Sequence, residues 1–243
     1  MSSVEKSTVV VLHLTKYGDS GAIVHAIDAR AGRVSIFLRG LGKGGKHTLA
    51  AFHPLSVLNV VTTSSPKSEL LFLKEHSPAL DLPSLRSDIR KNAIAIFISE
   101  VLYRSILHDL SDTQFFTWLC ETIAELEDAS EEEIANFHLL FMVNLCSRMG
   151  FLPSDSQSDQ NRFFEIATAS FVPKANIPSP TFDADISLIM HNLLSLPRAE
   201  ALRLPLSGKQ RGTFCKKCVD FLSYHLGIKI DVKSLAVLHD LFY

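Results

Sequence analysis

The sequence predicts an α+β chain in which a small N-terminal β-barrel leads a mainly α-helical domain. Three observations carry this prediction. Short β-branched and apolar runs, separated by turn residues, fill roughly the first eighty positions. After Pro83 the apolar period lengthens from two residues to about 3.6. Charge divides along the same line: residues 1–80 carry nine Lys/Arg against five Asp/Glu, and the remainder carries fifteen against twenty-one.

The strands follow in order. Thr8–Leu14 is β-branched and apolar, and Tyr17, Gly18 and Asp19 supply a turn. Ala22–Ala29 resumes the strand pattern, and Ala31 and Gly32 connect it tightly to Arg33–Arg39. A glycine-rich loop, Gly40–His47, comes next. Leu55–Thr63 and Glu69–His76 complete about five strands, with a turn at Ser64, Ser65 and Pro66. Five short strands with tight turns and one longer basic loop suit a closed barrel of the OB type.

The helices are read from their apolar faces. Ile89, Ala93, Ile94, Phe97, Val101 and Leu102 line a long helix starting near Ser84, and Phe115, Phe116, Leu119, Ile123 and Leu126 line a second. A third opens on Glu131, Glu132 and Glu133, which complement the positive end of the helix dipole. It closes near Gly150, with Pro153 just beyond. Residues 154–182, rich in Ser, Asp, Asn and Pro, form an excursion compatible with a hairpin. Helical spacing returns at Asp185–Leu196. Ser207 and Gln210 make a capping box for a helix that stops at Gly227, and Lys233–Phe242 is a last short helix. The division is therefore a barrel over 1–80 and a helical domain over 81–243.

Composition bounds the function. Hydrophobic residues make up 47% of the chain, enough for a substantial core. Cys120, Cys146, Cys215 and Cys218 are not spaced as a disulfide framework. The N-terminus lacks a signal-peptide pattern, and no apolar run reaches the ~18 residues of a membrane span. A reducing, cytoplasmic setting away from membranes is expected. The net charge is only −2, yet Arg30, Arg33, Arg39, Lys43 and Lys46 occur without an intervening acid. Such asymmetry points to an anionic partner.

Two motifs invite an enzymatic or metal reading. Gly40–His47 satisfies the Gly-x4-Gly-Lys part of a phosphate-binding loop, but His47 stands where a magnesium-ligating Ser or Thr is required. No amphipathic helix is expected after it, because Pro54 and the next strand follow closely. Its flexible backbone N–H groups and two lysines suit contacts to a nucleic-acid backbone, and equally a solvated hairpin loop with incidental lysines. Cys215 and Cys218 have the spacing of half a zinc site; no second Cys or His pair lies at a useful spacing, which leaves Cys120 or Cys146 to approach in space. Cys215 and Cys218 sit within a predicted helix beside Phe214, Val219 and Phe221 and read as small buried hydrophobes. No H-E-x-x-H pattern or nucleophile elbow occurs, so no catalytic residue, metal or cofactor is assigned.

Leu12–Ser20, Ile23 with Val24, Ala31–Val34 and Arg39–Leu41, in that order, resemble the opening of the RecO family of bacterial DNA repair and recombination mediators. Gly150–Pro153 resembles the close of its central helix, and Phe221–Gly227 followed by Lys233–Leu235 resembles its C-terminus. One departure stands out. Many members carry two Cys-x-x-Cys pairs after the Gly-Phe-Leu-Pro segment; here the residues from Ser154 to Phe171 contain no cysteine. The excursion must then be held by packing of Phe163, Phe164, Ile166, Phe171 and Val172.

The resemblance implies an OB-fold and a helical domain, binding to single- and double-stranded DNA, and annealing of complementary strands. It also implies partnership with RecR and with the C-terminal tail of single-stranded DNA-binding protein, in loading RecA. The residues expected to meet DNA are Lys16, Arg30, Arg33, Arg39, Lys43 and Lys46. Lys209, Arg211, Lys216 and Lys217 form a second cluster, for DNA or for a protein partner. Tyr17, Phe37, Phe52 and Phe72 are the barrel's candidates for base stacking, and backbone contacts are expected to outweigh them. The alternative is a protein–protein adaptor that touches DNA weakly, motivated by the acidic helical half.

Overall fold

The computed structural model of the protein describes residues 4–40, 46–65, 68–106, 111–175 and 179–242. The chain divides into two compact units, Met1–Asp128 and Ala129–Tyr243.

In the first unit β1 (Val4–Tyr17), β2 (Gly21–Asp28), β3 (Gly32–Leu38), β4 (Val57–Ser65) and β5 (Ser68–Pro78) close into a barrel in the order β1-β2-β3-β5-β4. All five predicted strands are present. The pairings are antiparallel except β3 with β5, a parallel seam of two register pairs, Ile36 with Leu71 and Phe37 with Phe72. This order is OB-like.

β1 serves two partners: Val4–Val10 pairs with β4, and Val9–Tyr17 pairs with β2. An irregularity between Val11 and His13 bends it from one to the other. There the Leu55 N–H donates to the Val11 carbonyl (2.8 Å) and the Val11 N–H donates to Ser56 (2.9 Å), so the interrupted ladder keeps its hydrogen bonds. Val9, Val11, Val24, Ala26, Ile36 and Leu38 alternate inward to form the barrel core.

A six-residue helix, α1 (Lys46–Ala51), follows the glycine-rich loop. This corrects the expectation that no helix stands there. Leu49 and Phe52 pack into the barrel core, and that burial stabilises a helix too short to persist alone.

The long helix expected from Ser84 is also interrupted. It forms as α2 (Pro83–Ser87) and α3 (Ile89–Ser105), divided at Asp88. Asp88 takes an extended conformation and its carboxylate accepts from the Arg90 and Lys91 N–H groups, making it the cap of α3. α4 (Thr113–Asp128) supplies the corresponding acceptor for α2: the Glu127 carboxylate accepts from the N–H groups of Ser84 and Leu85, each at 2.8 Å.

The second unit opens on α5 (Glu131–Arg148), whose Ser130–Glu133 capping box and Gly150 at φ +86° bound it as the residue types require. The excursion contains a hairpin of β6 (Phe163–Glu165) and β7 (Ser170–Val172). Phe164 is fully buried, with ring centroids of Phe171, Phe182 and Phe221 at 5.2–5.7 Å. Ile166 and Phe171 are buried with it, whereas Phe163 and Val172 are half-buried. A pair between His191 and Asp155 at 2.6 Å ties the excursion to the next helix.

That helix, α6 (Ala184–Ser195), is capped by Asp183. A short α7 (Arg198–Leu202) precedes α8 (Gly208–Leu226), where Ser207 and Gln210 form the predicted box and Gly227 ends the helix at φ +66°. α9 (Leu235–Phe242) closes the described chain. Cys146, Cys215 and Cys218 are buried free thiols in this core. Burial pushes the thiols of Cys146 and Cys218 well above their ordinary range.

Candidate nucleic-acid interface

The outward positions of the barrel are set by strand alternation. On β3, Ile36 and Leu38 face the core, which turns Phe37 out and leaves Arg39 exposed at the strand's end. The parallel seam places Phe72 directly beside Phe37, with ring centroids 6.1 Å apart and edge to face. Tyr17, 60% exposed at the end of β1, meets Phe37 edge-on at 5.6 Å. The Arg39 guanidinium lies over Phe72 at 4.6 Å and over Phe37 at 5.8 Å.

Three rings and one cation therefore share one outer face at the end of the barrel that carries the β1–β2 turn. A glycine makes room for them. A Cβ on Gly21 would come within 2.8 Å of the Tyr17 carbonyl and about 2.9 Å of the Phe37 ring. Phe52, the fourth aromatic candidate, is 3% exposed and belongs to the core. The face offers aromatic planes, an exposed phenol and a guanidinium, which are the elements of a single-strand stacking platform.

The other basic residues do not converge on it uniformly. Lys16, in register with Ala22 and Leu38, is exposed at the same end. Arg30 sits at the far end of β2, on the β2–β3 turn, where the buried Asp28 carboxylate accepts from the Arg30 and Ala31 N–H groups at 2.8 and 3.0 Å. Lys43 lies outside the described residues, and of Lys46 only the backbone, at the start of α1, is described.

Arg33 has a structural occupation. Its guanidinium donates to the carbonyls of Tyr103 (3.0 Å) and Ile106 (2.5 Å) at the C-terminal end of α3 and lies 4.6 Å from the Tyr103 ring. A cation among terminal carbonyls complements the negative end of the helix dipole. His13 and His25 complete this contact, with rings 4.7 and 5.2 Å from Tyr103. Burial, then the neighbouring Arg104 for His13 and Arg33 for His25, holds both below the usual histidine range. The partner carbonyls lie about seventy residues along the chain, so local sequence could not reveal this role.

The second basic cluster is similarly divided. Arg211 donates to the carbonyls of Leu206 (2.5 Å) and Phe242 (3.0 Å), and Lys217 donates to Thr181 at 3.3 Å near the Phe182 ring. Lys209 and Lys216 are exposed on α8. Among the described residues no group of three His, Cys, Asp or Glu side chains is placed to hold a metal ion, and no described helix is long and apolar enough to cross a membrane.

Tyr17, Phe37 and Phe72 are stacking candidates from the sequence alone, whereas the role of Gly21 shows only in its contacts with the Tyr17 carbonyl and the Phe37 ring. The outward parity of Phe37 was available from Ile36 and Leu38. Its pairing with Phe72 was not, because that depends on barrel closure.

Fold and site together define a class: an OB-like five-stranded barrel bearing a cationic aromatic face, followed by a helical region. Comparison with known proteins makes the assignment narrower. Residues 1–79 match the family model Recombination protein O N terminal, and residues 86–235 match Recombination protein O C terminal. The chain is 30% identical over 239 residues to the DNA repair protein RecO of Flavobacterium psychrophilum, covering 98% of each chain. It is 29% identical over 245 residues to that of Bacteroides fragilis strain YCH46, covering 98% of this chain and 99% of the relative. The RecO of Azobacteroides pseudotrichonymphae is 26% identical over 238 residues, 98% of each. The chain belongs to the RecO family of DNA repair proteins.

Proposed function

We propose that the barrel of this chain binds single- and double-stranded DNA and promotes annealing of complementary strands without itself catalysing a covalent step. The observation that carries this reading is the cluster of Tyr17, Phe37, Phe72 and Arg39 on one outer face. Each base stacked on such a ring contributes about 1–3 kcal/mol and demands no particular sequence. Arg39, with Lys16 at the same end of the barrel and Lys43 and Lys46 in the adjoining segment, supplies phosphate contacts that release counterions. In this reading stacking on the rings adds to the backbone contacts.

Annealing follows from the same chemistry. Neutralised phosphates let two strands approach, and bases stacked on one face keep their pairing edges accessible. In this reading the barrel of residues 1–80 is the DNA module. The helical domain of residues 81–243 receives RecR and the tail of single-stranded DNA-binding protein, so that RecA is loaded in the cytoplasm onto coated DNA. Lys209 and Lys216 are the members of the second cluster assigned to that role.

The test is binding of labelled oligothymidylate across a salt series by wild type, Tyr17→Ala and Arg39→Glu. Arg39→Glu is expected to lower affinity and to reduce the salt slope by roughly 0.7 for each phosphate that is no longer neutralised. Tyr17→Ala should lower affinity with the slope unchanged. Wild-type affinity in both variants would move the interface off this face. Absence of binding by wild type would favour the adaptor reading.

A further inference from the structure

At the end of β2 opposite the aromatic face, the barrel has a cleft of about 480 Å³. Its walls are the N-terminal half of β1, the middle of β4, the C-terminal half of β5 and the β2–β3 turn. Strand register sets two rows across it: Thr8, Asn59 and Ser77 in one, and Lys6, Val61 and Glu75 in the other. The eight residues of β2 separate this cleft from the platform by about 23 Å at 3.3 Å per residue.

The cleft is rich in donors. Lys6 and Arg30 are both exposed, and neither forms an ion pair among the described residues. The Asp28 carboxylate fixes the turn that carries Arg30. Thr8 Oγ1 donates to Asn59 Oδ1 at 2.9 Å, an arrangement that leaves the Asn59 amide N–H groups to donate elsewhere. His76 packs edge-on against the buried Phe52, and its buried Nδ1 has no hydrogen-bond partner among the described residues. Among the described residues Glu75 is the one carboxylate in the lining.

Two cations against one carboxylate favour an anion, and hydrogen-bonding groups of both kinds favour one with a polar, heterocyclic body. A phosphorylated nucleotide has both, and the volume lies within the range of small-ligand sites. We propose that this cleft is a second nucleic-acid site, which holds a nucleotide of a second strand. Lys6 and Arg30 take its phosphate, Asn59 and Ser77 donate to its sugar-phosphate, and Glu75 accepts from the base. The proposal rests on the platform reading and extends it: one chain would hold two strands, one at each end of β2.

Native mass spectrometry of the full chain with short oligothymidylate, which cannot self-anneal, tests this. Wild type is expected to carry two oligonucleotides per chain. Lys6→Glu/Arg30→Glu should carry one, with affinity for the second strand lowered roughly tenfold or more and the first unchanged. Tyr17→Ala/Arg39→Ala should also carry one, through the cleft. All four side chains are exposed and unchanged thermal melts would confirm folding. If the cleft variant still carries two strands, or wild type carries only one, the proposal is overturned. If the cleft variant drops to one while the platform variant keeps two, the cleft stands and the platform reading fails. Thymidine monophosphate is the control for source: its binding to wild type, with a single oligonucleotide per chain, would overturn the strand site in favour of a free-nucleotide pocket.

Discussion

The Phe37 ring occupies the space that a side chain on residue 21 would need. Gly21→Ala must therefore move either the ring or the backbone at Tyr17, because the nearest contacts are the Phe37 ring edge and the Tyr17 carbonyl. Overpacking of this kind costs about 1–3 kcal/mol. The variant is expected to lower affinity for single-stranded DNA several-fold while remaining folded at 25 °C. Paired thermal melts and oligothymidylate titrations would show it; wild-type affinity with a lowered melting temperature would separate Gly21 from the platform.

Arg33 and Arg39 share a strand parity and differ in occupation. Arg33 donates to two carbonyls at the end of α3, whereas Arg39 lies over rings on an exposed face. Hydrogen bonds from a charged donor contribute about 1.5–3 kcal/mol, so Arg33→Ala should destabilise the first unit by an amount of that order. Its salt slope of DNA binding should match wild type. Arg39→Ala should show the reverse, with altered binding and a near-normal denaturation midpoint. Urea titration and DNA binding on the same preparations make the comparison, and a reduced salt slope in Arg33→Ala would return that residue to the interface.

His138 is fully buried on α5, with its ring 5.8 Å from Phe242. Burial, then the charge of Arg211, pushes its pKa down to about 3. The sign follows from linkage. Below pH 6.5 the unfolded chain takes up a proton that the native state refuses, so stability falls as the solution is acidified. By pH 5 the contribution of this one group is about 2 kcal/mol, at 1.36 kcal/mol per unit, and the loss continues towards pH 3. His13 and His25 act in the same direction. His138→Phe should flatten the dependence of the denaturation midpoint between pH 5 and 7; an unaltered slope would exclude His138 as a source.

The four thiols should differ in exposure of their chemistry rather than in kind. Burial, then the neighbouring Glu121, pushes Cys120 up to about 11, and Cys146 and Cys218 lie deeper in the second unit. Thiolate is the reactive form, so none should be alkylated rapidly in the native protein at neutral pH. All four should react on unfolding. Rapid native labelling of Cys215 or Cys218, read by peptide mass, would reopen a redox role for that pair.

Much of the architecture was legible because it is local. The five strands, the Ser207–Gln210 box, the Gly227 stop and the apolar hairpin in the excursion each follow from neighbouring residue types. The misses have physical reasons. Asp88 falls within an otherwise helical period, and only its capping of Arg90 and Lys91 reveals the break. α1 and α7 are too short for periodicity to register. At the candidate interface, charge clustering singled out Arg39 but could not tell it from Arg33, whose partners lie far along the chain. Phe37 and Phe72 meet only through the closure of the barrel.

That closure is thin. The β3–β5 seam has two register pairs, and one of them is the Phe37–Phe72 pair that also forms the platform. A strand stacked across both rings would act as a splint over the weakest join in the barrel. Amide protons flanking the seam, from Ile36 to Leu38 and at Leu71 and Phe72, would then exchange more slowly with solvent deuterium when DNA is bound. Ligand occupancy and barrel integrity would rise together.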